Sequence, residues 1–315
     1  MNSVLIGAGM ALPRKCLKND ELPKELGTSD EWIVQRTGIK QRYIAEEETT
    51  SSLATIAARQ AINHAGLSPN DIDLIVLATA TGDYTFPATA VVVQKELGIT
   101  NGAAFDVNAV CSGFIYALDI ADSYIKLGKS KCALVIGAET FSRIVNWSDR
   151  STCVLFGDGA GAVVLQARNN YGLGIQSCRI YSDGTYTDHL ITTGGISTTQ
   201  TVGYVTMQGR EVFKFAVEKF VSAFEELLNY HKMSINDIDL VIPHQANVRI
   251  IKKFAEIAKI PEEKILINID KYANTSAASI PLALNEVKNK FGSIGNTALL
   301  SMGSGFTWGY ALIRL

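Results

Sequence analysis

The sequence has little with which to build a cross-linked or metal-bound protein. Its 315 residues include five cysteines, Cys16, Cys111, Cys132, Cys153 and Cys178, an odd number with no C-x-x-C pair. That spacing argues against a disulfide framework and against a structural zinc site, and no metal is expected. An excess of one charge is missing too: 29 basic against 31 acidic residues leave a formal net charge of −2. Neither nucleic acid nor an anionic membrane surface is an expected partner of such a chain. No window approaches the roughly 20 apolar residues of a membrane span. The opening "MNSVLIGAGMALP" has no charged leader, and its apolar run is too short for a secretory signal. The expected location is cytoplasmic, with reduced thiols.

Nucleotide signatures are also lacking. "LIGAGM" is not G-x-G-x-x-G and Pro13 follows it, so a dinucleotide fold is rejected. "FGDGAGAVVL" lacks the lysine of a phosphate loop and reads as a tight turn between strands.

What is present is a substantial core, with 47% hydrophobic residues, and an internal repeat. Residues 68–79, "SPNDIDLIVLAT", and residues 234–245, "SINDIDLVIPHQ", each place N-D-I-D-L before an apolar strand and after an amphipathic helix pattern. Two more pairs follow in the same order at offsets near 165. "FDVNAVCSGFIYAL" matches "NIDKYANTSAASIPLAL", and "KCALVIGAE" matches "NTALLSMGSG". Each half then reads helix, buried strand, strand, turn, buried helix, strand, an α/β pattern with buried sheets. The helix after Cys111 is apolar all round and is expected between layers, with Gly128 just past its end. We divide the chain into halves 1–167 and 168–315, with the Gly-, Thr- and Ser-rich stretch 168–210 as the connection. Such a protein places its site where the halves meet.

Cys111 lies at a strand-to-helix turn, where the partial positive charge of a helix start favours thiolate. A buried cysteine that merely packs has the same appearance. The other four cysteines read as core or surface residues. Of four histidines, only His244 ends a buried apolar strand, where α/β sheets place ligands; a hydrogen-bonded core histidine would also fit. Asn274 lies in the turn that matches the Cys111 turn, and by itself reads as a helix cap. The Gly-Ser-Gly turn at 303–305 presents backbone N–H groups and suits either an oxyanion site or a hairpin. Trp32 and Arg36, at helical spacing, read as packing residues until more is known.

Taken jointly, "VNAVCSGF", "PHQANVRI", "NTSAAS", "GSGFTWG", "SDEWIVQRTGIKQR" and "DRSTCVLFGDGAGAVVL" resemble segments of the β-ketoacyl-acyl-carrier-protein synthase III family, over the whole chain. The resemblance implies a thiolase-like, five-layered α/β/α/β/α fold of two duplicated halves, usually a homodimer. It implies an acyltransferase that starts fatty acid chains. Acetyl-CoA and malonyl-acyl carrier protein give acetoacetyl-carrier protein, CO2 and CoA, with no cofactor, since acyl-CoA is a substrate. Carried over by position, Cys111, His244 and Asn274 are catalytic, and the backbone N–H groups of Cys111 and Ser304 form the oxyanion hole. Many relatives have glycine where this chain has Ser304. Trp32, Arg36, Thr37, Arg150 and Asn247 are expected to hold CoA. Phe86 is expected in the acyl pocket, across a dimer interface. Gln245, Ala246, Asn247, Val248 and Arg249 are expected to meet the carrier protein, with Lys252, Lys253 and Lys259 adding positive charge and Ile250, Ile251, Phe254 and Ile257 on the helix's apolar side. Alternatives are a synthase with a longer or branched primer, a non-condensing cysteine acyltransferase or thioesterase, and a non-catalytic acyl-CoA binder.

Overall fold

The computed structural model describes residues 1–169 and 172–315. The repeated serine and aspartates show why its two halves fold alike. Ser68 and Asp71 cap the turn Pro69–Asp71 reciprocally, and Ser234 and Asp237 do the same for Ile235–Asp237. Asp73 then accepts the backbone N–H groups of Lys131 and Cys132, and Asp239 accepts that of Asn296. Each aspartate therefore pins the start of its own apolar strand to the strand beside it.

The first half supplies β1 (Asn2–Ala11), the small ladder β2 (Lys15–Lys18) with β3 (Gln41–Ile44), β4 (Leu74–Ala78), β5 (Ala103–Val107), β6 (Cys132–Glu139) and β7 (Gly159–Arg168). The second supplies β8 (Gly174–Ser182), the short ladder β9 (Leu190–Thr192) with β10 (Val205–Met207), β11 (Leu240–Pro243), β12 (Asn296–Gly303) and β13 (Thr307–Arg314). One sheet has the order β1-β7-β6-β4-β5 and the other β11-β12-β13-β8. In both, an apolar strand runs parallel to its neighbour (β4 to β6, β11 to β12) and the next two pairings are antiparallel. The place of β5 is held in the second half by a single parallel bridge between Val241 and Ile265.

The helices are α1 (Asp30–Thr37), α2 (Thr50–His64), α3 (Thr89–Leu97), α4 (Gly113–Lys126), α5 (Gly209–His231), α6 (Val248–Ala258), α7 (Ile269–Tyr272) and α8 (Ser279–Val287). β4 is apolar on both faces because both are covered. Ile75 and Leu77 pack with Ala57 and Ala61 of α2, while Val76 and Ala78 face Phe114 and Leu118 of α4. α4 and α8 lie between the sheets, against Val135 and Val163 on one side and Leu299 and Ala311 on the other. α5 and α6 cover the outer face of the second sheet through Phe220, Phe224 and Phe254. The result is five layers, α/β/α/β/α.

Three expectations change. The stretch 168–210 is not a plain connection: it carries β8, the edge strand of the second sheet, and both short strands; its residues Asn170 and Tyr171 lie outside the described residues. Ile257 is 46% exposed rather than packed on the apolar side of α6. The last repeat is also one residue shorter than the sequence match suggests. Ala133 pairs with Leu74 and Thr297 with Leu240, so β6 and β12 correspond 164 residues apart and Gly303 is the counterpart of Glu139.

Candidate active site

Cys111 sits in a 3-10 turn, Val110–Ser112, that leads from β5 into α4. Val110 holds φ 47°, a left-handed conformation that few side chains adopt, and the turn it makes lifts the thiol off the strand. The hairpin turn after β12 closes over it. A Cβ on Gly303 would stand 2.9 Å from the Cys111 nitrogen and 3.0 Å from that of Ser112, so only glycine admits this approach. Ser112 donates to the Thr307 carbonyl at 2.9 Å, and Thr307 donates to that of Ala109 at 3.2 Å, locking the two turns together. The Ser304 hydroxyl is turned away, donating to the Leu190 carbonyl, so serine replaces glycine without filling the site.

His244 directly follows β11 and is 1% exposed. Its Nδ1 lies 2.6 Å from the Ser279 hydroxyl, and that oxygen also accepts the Gln245 N–H at 3.4 Å. We assign the Ser279 hydroxyl hydrogen to Nδ1 and the imidazole hydrogen to Nε2, the nitrogen that faces the cavity. Nε2 is buried with no protein partner and belongs to the cavity that contains Cys111. Burial drives the His244 pKa down to about 3, so the ring stays neutral.

Asn274 is held by its backbone. Its N–H donates to Leu155, its carbonyl accepts from Gly157, both at 3.0 Å, and Phe156 bridges it. Its Oδ1 accepts the Ser276 N–H at 2.9 Å, which leaves Nδ2 as the donor end of the amide. The cap expected at this turn is thus a local Asx contact rather than a helix cap.

Cys111, His244 and Asn274 line one narrow cavity of about 90 Å³, walled by apolar side chains such as Phe156, Leu190, Phe220 and Met302. Its walls at Leu155, Met207, Gly209, Phe213 and Asn247 are shared with an outer vestibule of about 430 Å³. Trp32, Arg36, Thr37, Arg150, Arg210 and Arg249 ring that vestibule. The Arg36 guanidinium lies 4.3 Å from the Trp32 ring centroid and that of Arg150 lies at 5.5 Å, a stacked arrangement that holds both near the mouth. Arg210 was not singled out from sequence; its place, one residue into α5, gives no signal until the fold brings it to the mouth.

Other expected residues fall differently. The Thr37 hydroxyl is occupied, donating to Ile33 at 2.7 Å and accepting from Ile39 at 3.0 Å. Phe86 is 83% exposed and does not line this chain's own cavity. Gln245 corrects an expectation: it is buried, and its side chain bonds Pro243, Leu266 and Asn268, so it secures the loop instead of facing a partner. Asn247 caps α6 by accepting the Arg249 N–H at 2.9 Å, and Arg249 is exposed.

The thiol meets resistance to ionising. Burial pushes the Cys111 pKa up to about 12, and nearby Glu139 raises it further, against a lowering contact from the Ser276 hydroxyl. Desolvation at Cys111 thus opposes the thiolate that a helix start favours. Among the described residues no group of histidine, cysteine and carboxylate side chains is arranged to hold a metal ion. No helix among them is long and apolar enough to cross a membrane.

A thiol from one sheet's turn sharing a cavity with the His244 and Asn274 side chains, between two similar sheets, is the arrangement of thiolase-like acyltransferases. The comparisons narrow it. The profile for 3-oxoacyl-[acyl-carrier-protein] synthase III matches residues 105–184, and that for its C-terminal part matches residues 228–315. A β-ketoacyl-[acyl-carrier-protein] synthase III of Rhodospirillum centenum is 56% identical over 100% of this chain and 99% of its own length. The enzyme of that name from Rhizorhabdus wittichii is 54% identical over 99% of each. Among solved structures, 3-oxoacyl-[acyl-carrier-protein] synthase III of Aquifex aeolicus is 50% identical, with a TM-score of 0.94 over 99% of this chain and 100% of that one. The chain belongs to the β-ketoacyl-[acyl-carrier-protein] synthase III family.

Proposed function

We propose that this chain performs the initiating condensation: a short acyl group passes from CoA to Cys111 and then to the carbon of a malonyl unit carried on acyl carrier protein. The observation that carries this reading is the shared cavity. One thiol faces two buried neutral donors, His244 Nε2–H and the Asn274 amide, at the end of an apolar passage that opens among arginines.

In the first half-reaction the Cys111 sulfur attacks the acyl-CoA carbonyl. The N–H groups of Cys111 and Ser304 receive the oxyanion, and CoA departs as its thiolate, which takes a proton from water. Arg36, Arg150 and Arg210 suit the phosphates of CoA and Trp32 its adenine face. In the second half-reaction the malonyl carboxylate leaves as CO2. The negative charge that develops on the remaining thioester oxygen needs donors, and His244 and Asn274 supply them. The enolate carbon attacks the acyl-cysteine, and Cys111 leaves.

The exposed Arg249 and the half-buried turn around Asn247 and Val248 are the contact we assign to the acidic carrier protein. We assign Phe86 to a second subunit's acyl pocket, with the molecule acting as a cytoplasmic homodimer that needs no cofactor. Intact mass after incubation with acetyl-CoA, followed by labelled product analysis with malonyl-carrier protein, tests the reading. An acyl adduct on Cys111 and a β-keto product support it; hydrolysis without condensation would refute it.

A further inference from the structure

The site contains one ionisable group that the mechanism above does not use. Glu139, the last residue of β6, is completely buried. Its carboxylate accepts hydrogen bonds from the Ala80 N–H at 3.1 Å, from the hydroxyls of Thr81 at 2.5 Å and Thr79 at 3.3 Å, and from that of Ser276 at 3.0 Å. Ser276 is itself held in a left-handed conformation, φ 50°; its turn packs against the turn that carries Cys111, and its hydroxyl acts to lower the pKa of the thiol. Ser276 thus stands between the turn that carries the sulfur and a buried carboxylate, to which its hydroxyl donates at 3.0 Å.

We propose that Glu139, acting through the Ser276 hydroxyl, is the base that takes the proton from Cys111 when the acyl group arrives. The proposal rests on the acyl-cysteine reading of the site. His244 is poorly placed for this work, because Nε2 already bears its hydrogen and Nδ1 is occupied by Ser279. A ring that stays neutral down to about pH 3 is also a weak base. Burial lifts Glu139 instead to about 7, which makes it a far better proton acceptor than an exposed carboxylate.

The transfer keeps the buried charge at one. The thiol proton moves to the Ser276 oxygen as the Ser276 proton moves to Glu139, which leaves a thiolate and a neutral carboxylic acid. The thiolate forms the bond to the acyl carbon while the CoA sulfur leaves and takes its proton from water. When condensation later expels the Cys111 thiolate, the proton held on Glu139 returns by the same path. One proton from solvent is then consumed per turnover, as loss of CO2 from the malonyl carboxylate requires. The surroundings fit: Thr79, Ala80, Thr81 and Ser276 are uncharged donors, and Cys111 is the titratable group facing the carboxylate. Nearby Asp158 is engaged by Ala45 and Ser142, and Asp83 by Ser51.

The test measures acylation of the full-length protein by acetyl-CoA, by intact mass on rapidly quenched samples between pH 5.5 and 9. In the same preparations CO2 release from malonyl-CoA is followed after Cys111 has been blocked by iodoacetamide. For the wild type, acylation should rise with pH to a plateau, with a midpoint near 7. Glu139→Gln should lose that midpoint and acylate about 10²-fold more slowly at pH 7, while CO2 release falls far less. Ser276→Ala should slow acylation likewise while CO2 release is retained; this variant decides the matter if Glu139→Gln does not fold. An unchanged pH midpoint in Glu139→Gln, or acylation and CO2 release lost in parallel, would overturn the relay. A wild type that acquires no acyl group on Cys111 would instead overturn the acyl-cysteine reading, and the relay with it.

Discussion

Val110 and Ser276 stand 166 residues apart in sequence and do the same work. Both hold a positive φ, 47° and 50°, and both start the 3-10 turn that feeds a helix between the sheets. The residue after Val110 is Cys111; the residue after Ser276 is Ala277. One turn therefore presents a sulfur and the other a methyl group, while Asn274, two residues before Ser276, turns its amide into the same cavity. On the proposed mechanism the duplicated element is divided between attack by Cys111 and stabilisation by Asn274.

If Cys111 is the nucleophile, Cys111→Ala should carry no acyl group after incubation with acetyl-CoA, and condensation should fall by about 10³-fold or more. Intact mass and product assay check this together. An adduct on the similarly buried Cys132 or Cys153 would contradict the assignment.

His244→Ala and Asn274→Ala should separate the half-reactions. Each removes a donor to the enolate, at a cost of about 10²-fold or more in condensation, whereas the acyl adduct on Cys111 should still form. Asn274→Asp should be at least as damaging as alanine, because a carboxylate repels the charge that develops there.

Ser279→Ala tests the tautomer. Without a donor at Nδ1 the ring hydrogen is free to move there from Nε2, and condensation should drop by about tenfold, the equivalent of one hydrogen bond. Thr, which retains the hydroxyl, should restore most of the rate.

The buried imidazole also bears on stability. A pKa held near 3 in the folded chain, against about 6.5 when unfolded, stabilises the fold above pH 6.5. That contribution should be lost progressively as pH falls from 6.5 towards 3. Thermal melts over this range should show a loss that shrinks in His244→Gln, whose side chain does not titrate.

Arg249→Glu should raise KM for malonyl-carrier protein by about tenfold with little change in KM for acetyl-CoA. The wild-type KM for the carrier should itself rise with salt. Equal effects on both substrates would place Arg249 at the CoA phosphates instead.

Much of this architecture is legible in the chain because the repeat is written in polar residues as well as apolar ones. Ser68, Asp71 and Asp73 recur as Ser234, Asp237 and Asp239, and capping and strand pinning need those side chains at those intervals. His244 stood out by ending an apolar strand. Other features depend on contacts that periodicity does not encode. The helix surface at Ile257 is left uncovered, and Gln245, polar and flanked by functional residues, is consumed by three bonds within its own loop. Glu139 gave no sign beyond a carboxylate at the end of an apolar run. Its importance follows from the fold placing Ser276, 137 residues away, against it. The burial that raises the Cys111 pKa is equally hidden, since a sequence shows the helix start but not how completely water is excluded.

The shared wall between the inner cavity and the arginine-lined vestibule has a kinetic consequence. On the proposed mechanism both donors of carbon reach Cys111 by this one way in, so the pantetheine arm of one would occupy the passage the other requires. Free CoA must clear it before the carrier-bound malonyl group can enter. The enzyme should accordingly obey a double-displacement rate law, with CoA acting as a competitor of the carrier protein rather than only as a product of the first exchange.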